Sequence, residues 1–543
     1  MATNISTTLE FALAHEAGCQ PEQVITFGSN MMNIVAVVLT AKDQPVHLYL
    51  GSEAAPFSTD QLATLHLLGG TLTTFPGSPK PDPSAVVLGH TSVARPGDAG
   101  VDGVIGPNVL YMSDNSKISP ADIFVIRKRM ATPVTTPVAE AMLQSLAKLP
   151  VTANTGQASP PAVAEFYAHL QTLCGTAINT SANPVIFTAG LPALCSMWVS
   201  LIRRGGADVL MCSTAYGGSS QLTDLLHSKV PHFKKHTFDI QGLGADMVER
   251  ISGRLDDLAA RPEELKPTTV VFIEIPTNPD MKVPEMEPLA ETLCTYKAKT
   301  GKNVVLLIDS TFAPGSEVLK KLEELAPELN VMMFISLSKS VSRGLTTGGA
   351  IVANHTAESI SLLKEVNDMA KMLDTTAKAD QMLFLTENHK NVEKRCQQAY
   401  AVAVAAGDAL KTAVLDVTQH KMPLAFVRPE HGQIGFTSST FSFNLPAPKA
   451  ATAEATAALA QKFVDLLCAH PEFKPCVSFG QDNGLVYATV PATSTQGAIK
   501  EEDKAKQAVG GVQLVRLSFP PTCDIAVVSK IIINATTAIY SGY

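Results

Sequence analysis

Charge is scarce in this chain. Only 17% of its 543 residues are Asp, Glu, Lys or Arg, against a typical share of about 25%. Hydrophobic residues reach 45%. A disordered regulator needs the reverse balance, so that class is excluded. A chain of this length suggests about three domains, and so little charge points to a large compact body with buried subunit contacts. Positive charge is scarcer still: 42 Lys and Arg against 50 Asp and Glu leave a net charge of −8. That balance offers no footprint for nucleic acid or for an anionic membrane. The longest basic clusters, Arg127-Lys128-Arg129 and Arg203-Arg204, are short and read as solvated patches or helix ends.

Cysteine pairing is missing as well. The nine cysteines (Cys19, Cys174, Cys195, Cys212, Cys294, Cys396, Cys468, Cys476 and Cys523) form no C-x-x-C motif. A zinc ribbon and a thioredoxin-type motif are thereby excluded, and no metal is expected. An odd, scattered set reads as reduced thiols. No Lys or Arg precedes Lys42, whereas Glu10, Glu16 and Glu22 do, so neither a signal nor a transit peptide is expected. No apolar run approaches ~18–20 residues, so no membrane helix is expected. Dispersed Gly and Pro without heptads exclude collagen and coiled coil. The expectation is a cytoplasmic globular protein.

What is present divides into three stretches, with expected boundaries at 1–115, 116–405 and 406–543. In the first, residues 31–40 and 45–50 read as strands and 59–68 as a helix. Residues 76–83 (PGSPKPDP) break regular structure. No chemical constellation appears there, and its role stays unassigned. In the second, short apolar runs at 184–187, 208–212, 269–275, 303–308, 330–335 and 349–353 alternate with helical patterns. Such runs predict a mainly parallel sheet buried on both faces. Helices are expected at 357–373 and 381–409. In the third, 439–445 and 513–519 alternate as half-buried strands, with helices at 451–469 and 525–539. This predicts a smaller α+β domain.

Ligands of a parallel α/β sheet sit at the carboxyl ends of its strands. The run 269–275 leads into Pro276-Thr277-Asn278-Pro279, the run 303–308 into Asp309-Ser310-Thr311-Phe312, and the run 330–335 into Ser336-Leu337-Ser338-Lys339. An Asp and a Lys at one rim can be an ordinary ion pair. The hydroxyls around Lys339 favour a phosphorylated carbonyl ligand instead: the amine forms a Schiff base, and the hydroxyls meet phosphate oxygens. Asp309 would then hold a protonated ring nitrogen. Upstream, Gly190 in Thr188-Ala189-Gly190-Leu191 allows backbone N–H groups and a helix N-terminus to approach an anion. Tyr216, ahead of Gly217-Gly218, can lay its ring against an aromatic ligand or simply occupy a surface turn.

Taken together, FTAGLPA (187–193), AYGG (215–218), EIPTNP (274–279), IDSTF (308–312), SLSK (336–339) and LVRLS (514–518) resemble, in kind and order, the Cys/Met-metabolism group of pyridoxal-phosphate (PLP) enzymes. The resemblance covers roughly residues 150–540. It implies an α/β protein of PLP fold type I: a mainly parallel seven-stranded sheet flanked by helices, with a smaller C-terminal α+β domain. It implies pyridoxal 5′-phosphate as cofactor, joined to Lys339, which also shuttles protons. Asp309 would pair with the ring nitrogen, and Tyr216 would stack on the ring and assist the leaving group. Gly190, Leu191, Ser336 and Ser338 would hold the phosphate. Thr311 would support the ring, and Asn278 would sit near its hydroxyl or the substrate carboxylate. Arg516 would bind the substrate α-carboxylate, with Ser478 nearby. A small amino-acid substrate and a homodimer or homotetramer complete the expectation.

The implied reaction is elimination or replacement at the β or γ carbon of a sulfur-containing or O-activated amino acid. Replacement of the cystathionine γ-synthase kind is the leading form. A C–S lyase is the alternative. A weakened PLP-fold protein with a role in assembly or regulation is a further one, as is a decarboxylase or aminotransferase on the same fold.

Overall fold

A computed structural model describes residues 4–152, 156–240, 247–447, 451–489 and 514–541. Three sheets organise it. The first contains β1 (Val24–Thr26), β2 (Val46–Gly51), β3 (Leu72–Pro76), β4 (Val86–His90), β5 (Gly103–Gly106) and β6 (Val109–Met112), in the order β1-β6-β5-β4-β2-β3. Strands β3, β2, β4 and β5 run parallel, while β6 is antiparallel to β5 and β1. Its helix Thr59–Leu67 starts on a reciprocal cap between Ser58 and Gln61, which satisfies two otherwise orphaned N–H groups.

One sequence expectation fails here. Met32–Thr40 is a helix, and its first eight residues are all buried. A helix enclosed on every side loses the 3.6-residue period, so its apolar run reads like a buried strand.

The second sheet holds β7 (Val185–Phe187), β8 (Ala207–Cys212), β9 (Phe233–Phe238), β10 (Thr268–Glu274), β11 (Asn303–Asp309), β12 (Asn330–Ser336) and β13 (Gly349–Ala353). Their order is β7-β13-β12-β11-β10-β8-β9. The pairs are parallel except those of β13, which is antiparallel to β12 and β7. Every residue of β8 and β10 is buried, which is why these strands are continuously apolar in sequence. Strand β9 (FKKHTF) is half exposed at the sheet edge, and its Lys-Lys-His centre hides it from a search for apolar runs. The single helix expected over 381–409 is two, Ala379–Asn388 and Val392–Thr418. Asn391, with φ of 59°, caps the second.

The third sheet, β14 (Thr440–Phe443), β15 (Phe473–Pro475), β16 (Gly484–Thr489) and β17 (Leu514–Ser518), has the order β14-β17-β16-β15. Helices Val392–Thr418 and Ala453–Cys468 cover it around Phe441, Phe443, Phe463 and Phe519, and Ile525–Tyr540 packs on both helices.

The first and second sheets share one continuous apolar core. Helix Met32–Thr40 packs on helix Pro120–Met130, which in turn packs on Gly190–Arg203 and Gly217–Lys229. Ser29 Oγ donates to Leu373 O, and Lys229 Nζ to Leu39 O, each at 2.8 Å. Among the described residues no helix is long and apolar enough to cross a membrane.

Candidate active site

Strand ends define one rim. Glu274 pairs in register with Asp309, and Asp309 with Phe334. Ser336 pairs with Gly349, and Gly349 with Phe187. The loop that follows Phe187 therefore meets the lysine turn that follows β12. Motifs far apart in sequence converge because the sheet order brings their strands together.

Lys339 lies in that turn. Its Nζ donates to Ser478 Oγ at 2.7 Å and lies 5.4 Å from the Phe479 ring centre. Burial, and then the positive charge of Arg516, push the amine's pKa down to about 8. Part of it is uncharged near neutrality, and only the uncharged amine is a nucleophile.

Asp309 ends β11 and is 9% exposed. Burial pushes its carboxyl up, while hydrogen bonds from Thr311 and the nearby Lys339 oppose the shift. Thr311 donates both its N–H, at 2.9 Å, and its hydroxyl, at 2.5 Å, to Asp309 Oδ1. Oδ2 is thereby left for a cationic partner. Thr311 Oγ1 also accepts from the Ser336 N–H at 2.9 Å, tying the ends of β11 and β12 together.

Gly190 opens helix Gly190–Arg203. A Cβ there would come 3.1 Å from Phe334 and 3.4 Å from Ser336, so the absent side chain lets the helix start stand against β12. A helix N-terminus in such a place suits an anion. Ser338 faces the backbone of its own turn. Its hydroxyl donates to Gly348 O at 3.2 Å and accepts the Gly348 N–H at 3.0 Å, which staples the lysine turn. Tyr216 precedes helix Gly217–Lys229 and is 38% exposed. Its ring and the Leu191 side chain both crowd Gly218, where a Cβ would meet them at 2.5 and 3.0 Å.

Arg516, in the middle of β17, is 3% exposed and lies between Ser442 and Tyr487 in register. Its Nη2 donates to Val477 O at 2.8 Å, and its guanidinium stands 4.5 Å over the Tyr487 ring. Among the described residues Nε has no partner, and no carboxylate pairs with the guanidinium. A buried guanidinium in this condition suits an anion from outside.

Several neighbours escaped the sequence reading. Glu274 is buried between Tyr216 and Asn278, accepting the backbone N–H of the first at Oε1 and of the second at Oε2, the latter at 3.0 Å. Burial and the charge of Asp309 push its carboxyl up. The signal was a carboxylate at the end of an otherwise apolar strand. Gln381 Nε2 donates to Thr188 O at 2.9 Å and Thr347 O at 3.0 Å, joining the Gly190 loop to the lysine turn; nothing in its sequence setting announces this. Phe312 and Phe479 stack at 4.4 Å and 15°. Cys476 lies close enough to Lys339 and Arg516 to act on both charges.

The basic cluster at 127–129 is not a solvated patch. Arg127 is buried and paired with Glu10. Arg129 is 2% exposed, with Nε donating to Gln221 Oε1. Arg204 pairs with Glu358 and Glu365.

A family model described as "Cys/Met metabolism PLP-dependent enzyme" matches residues 168–520, more than half of the chain. A sulfhydrylase from Fusarium oxysporum f. sp. lycopersici is 26% identical over 155 residues, which are 28% of this chain and 30% of that relative. This chain thus spans under a third of that relative's length. Cystathionine gamma synthase from Xanthomonas oryzae pv. oryzae, solved in complex with aminoacrylate and cysteine, is similar with a TM-score of 0.51 and 21% identity, over 72% of this chain and 92% of that one. Cystathionine gamma lyase from Micromonospora echinospora gives 0.50 and 18%, over 72% and 93%. At these identities the structural likeness speaks for the fold. With the matched family span and that fold in hand, the chain belongs to the Cys/Met-metabolism PLP-dependent enzymes, with the type I fold and pyridoxal 5′-phosphate as its cofactor.

Proposed function

We propose that this enzyme of sulfur amino-acid metabolism acts at the β or γ carbon of a sulfur-containing or O-activated amino acid. Replacement of a γ substituent by a thiol is its preferred outcome, and C–S bond cleavage is the second reading. One observation carries the proposal: the Lys339 amine, buried, low in pKa and held by Ser478, lies within electrostatic reach of both Asp309 and Arg516.

The residues fit the cofactor. Asp309 has an oxygen to spare for a ring N–H, the absent Gly190 side chain leaves room beside Ser336, and Arg516 Nε awaits a partner. When bound, PLP supplies an electron sink that acidifies the hydrogens next to the amino-acid nitrogen.

The chain's residues do the rest. Asp309, steadied by Thr311, keeps the ring nitrogen protonated. Gly190, Leu191 and Ser336 receive the phosphate, and Ser338 joins them by releasing Gly348. Asn278 stands at the ring hydroxyl or the substrate carboxylate. Arg516 grips the α-carboxylate with its planar fork, which sets the orientation of the Cα–H bond. Lys339 Nζ, positioned by Ser478, takes the Cα proton and returns it farther along the side chain. The Tyr216 phenol gives a proton to the departing group. Phe312 and Phe479 form an apolar wall near the amine, which disfavours water and favours capture by a thiol. The division at 1–115, 116–405 and 406–543 accompanies this reading.

The test is a product assay on the PLP-loaded protein. With an O-acylhomoserine and cysteine, cystathionine should form at a rate that depends on the thiol. Keto acid and ammonia released without thiol would favour the lyase reading. No turnover of O-acylhomoserines, cystathionine, cysteine or methionine would overturn both.

A further inference from the structure

The turn that carries Lys339 has two carbonyls to account for. Within it the Arg343 N–H donates to Lys339 O at 2.8 Å, and the Ser342 N–H to Leu337 O at 2.9 Å. Among the described residues no backbone N–H reaches Ser340 O or Val341 O, although Val341 is buried. A carbonyl enclosed in protein needs a donor. Arg395 supplies one: its Nη2 donates to Ser340 O at 3.1 Å and to Val341 O at 3.3 Å.

The same guanidinium reaches a helix end. Nη2 shares its hydrogens with Asn388 O at 3.0 Å, and Nη1 donates to Lys390 O. Asn388 closes helix Ala379–Asn388, and the last carbonyls of a helix have no partner within it. Arg343, from the lysine turn, adds a bond from Nη2 to Asn388 Oδ1 at 3.2 Å. At the opposite end of this helix the buried Gln381 donates to Thr188 O and to Thr347 O. Helix Ala379–Asn388 therefore lies along the lysine turn as a splint, fastened by Gln381 at its start and by Arg395 at its finish. Arg395 itself sits in the first turn of helix Val392–Thr418, where the helix dipole disfavours a positive charge. Its own helix does not account for the charge, and the four carbonyls do.

Ser340 directly follows Lys339, whose amine is held against Ser478 and away from solvent. A free ammonium on a four-carbon stem prefers water, so the amine stays only if the backbone behind it does not yield. We propose that Arg395 is a positioning residue: by clamping the backbone just after Lys339 to the end of helix Ala379–Asn388, it keeps the Lys339 amine against Ser478 and out of water. The proposal rests on the assignment of Lys339 as the lysine that takes up PLP.

The experiment reads the lysine itself. Full-length protein stripped of PLP is acetylated with limiting acetic anhydride at a series of pH values, and the Lys339 peptide is quantified by mass spectrometry. Wild type is compared with Arg395→Met, which keeps the stem and removes every donor, and with Arg395→Lys, which keeps some. Labelling of Lys339 should have its midpoint near 8 in wild type. In Arg395→Met the midpoint should move up by about one unit or more, which leaves about tenfold less free amine near neutrality and slows PLP uptake to match. The shift should be smaller in Arg395→Lys. An Arg395→Met protein that is folded by circular dichroism and titrates like wild type would overturn the proposal, even if it melts earlier, because lost stability alone marks a structural role. If Arg395→Met does not fold, Arg395→Lys decides, and an unmoved midpoint there overturns the proposal. So would a wild-type midpoint near 10.5, the value of an ordinary lysine. A wild type that takes up no PLP would refute the cofactor assignment, while the labelling midpoints would still judge the clamp.

Discussion

Lys339 turns burial into reactivity. Its pKa falls from the usual lysine value of 10.5 to about 8 because water is removed from the amine and Arg516 adds like charge. The reactive species is the deprotonated one, so the rate at which apoprotein takes up PLP should rise with pH with a midpoint near 8. Stopped-flow absorbance checks this, and a midpoint near 10.5 would show an ordinary solvated lysine. Replacing Arg516 by Lys removes the fork geometry but keeps the charge. KM for the amino acid should rise about 10–100-fold, while PLP affinity changes little. Lys339, Asp309 and Arg516 could be singled out in the sequence because each is a charged residue at the end, or in the middle, of an apolar run. Arg129 could not. Its neighbours Arg127 and Lys128 make a basic cluster, and only the packing of helix Pro120–Met130 onto the core shows that a charge there is hidden from water.

Among the elements, the site is built by strand ends that clamp loops. Glu274 holds the Tyr216 and Asn278 loops by one oxygen each. In Glu274→Gln the new amide N–H group must face one of those two backbone donors. We expect a loss of about 1–3 kcal/mol in stability from the unsatisfied buried donor. A fall in kcat should follow as Tyr216 loses its anchor, and denaturant melts with steady-state kinetics check both. Unaltered stability and kcat would show that the clamp is dispensable. The strands that carry the site were legible because burial on both faces makes them continuously apolar, as in β10 and β11. The same physics misled at Met32–Thr40, where a fully enclosed helix is as apolar as a strand. Edge strand β9 was missed for the opposite reason: its partly buried Lys-Lys-His centre carries no apolar signal.

Across the whole molecule, the N-terminal sheet is part of the enzyme's body. Phe27, Met32, Val35 and Leu39 belong to the same core as Trp198 and Phe272. Removing residues 1–115 would expose that apolar face to water. The truncated chain should aggregate and fail to retain PLP, as size-exclusion chromatography and absorbance would report; a monodisperse, PLP-binding truncation would contradict this. The sequence alone left the role of this region unassigned, because the contacts that dock it, such as Ser29 to Leu373, join residues hundreds of positions apart. The proposed function turns on the Lys339 amine as the group that captures the cofactor. Borohydride reduction of the PLP-loaded protein, followed by digestion and mass spectrometry, identifies the lysine involved. A pyridoxyl group should appear on Lys339 and be absent from Lys339→Ala. A pyridoxyl group on a different lysine, or none on the wild-type protein, would refute that role.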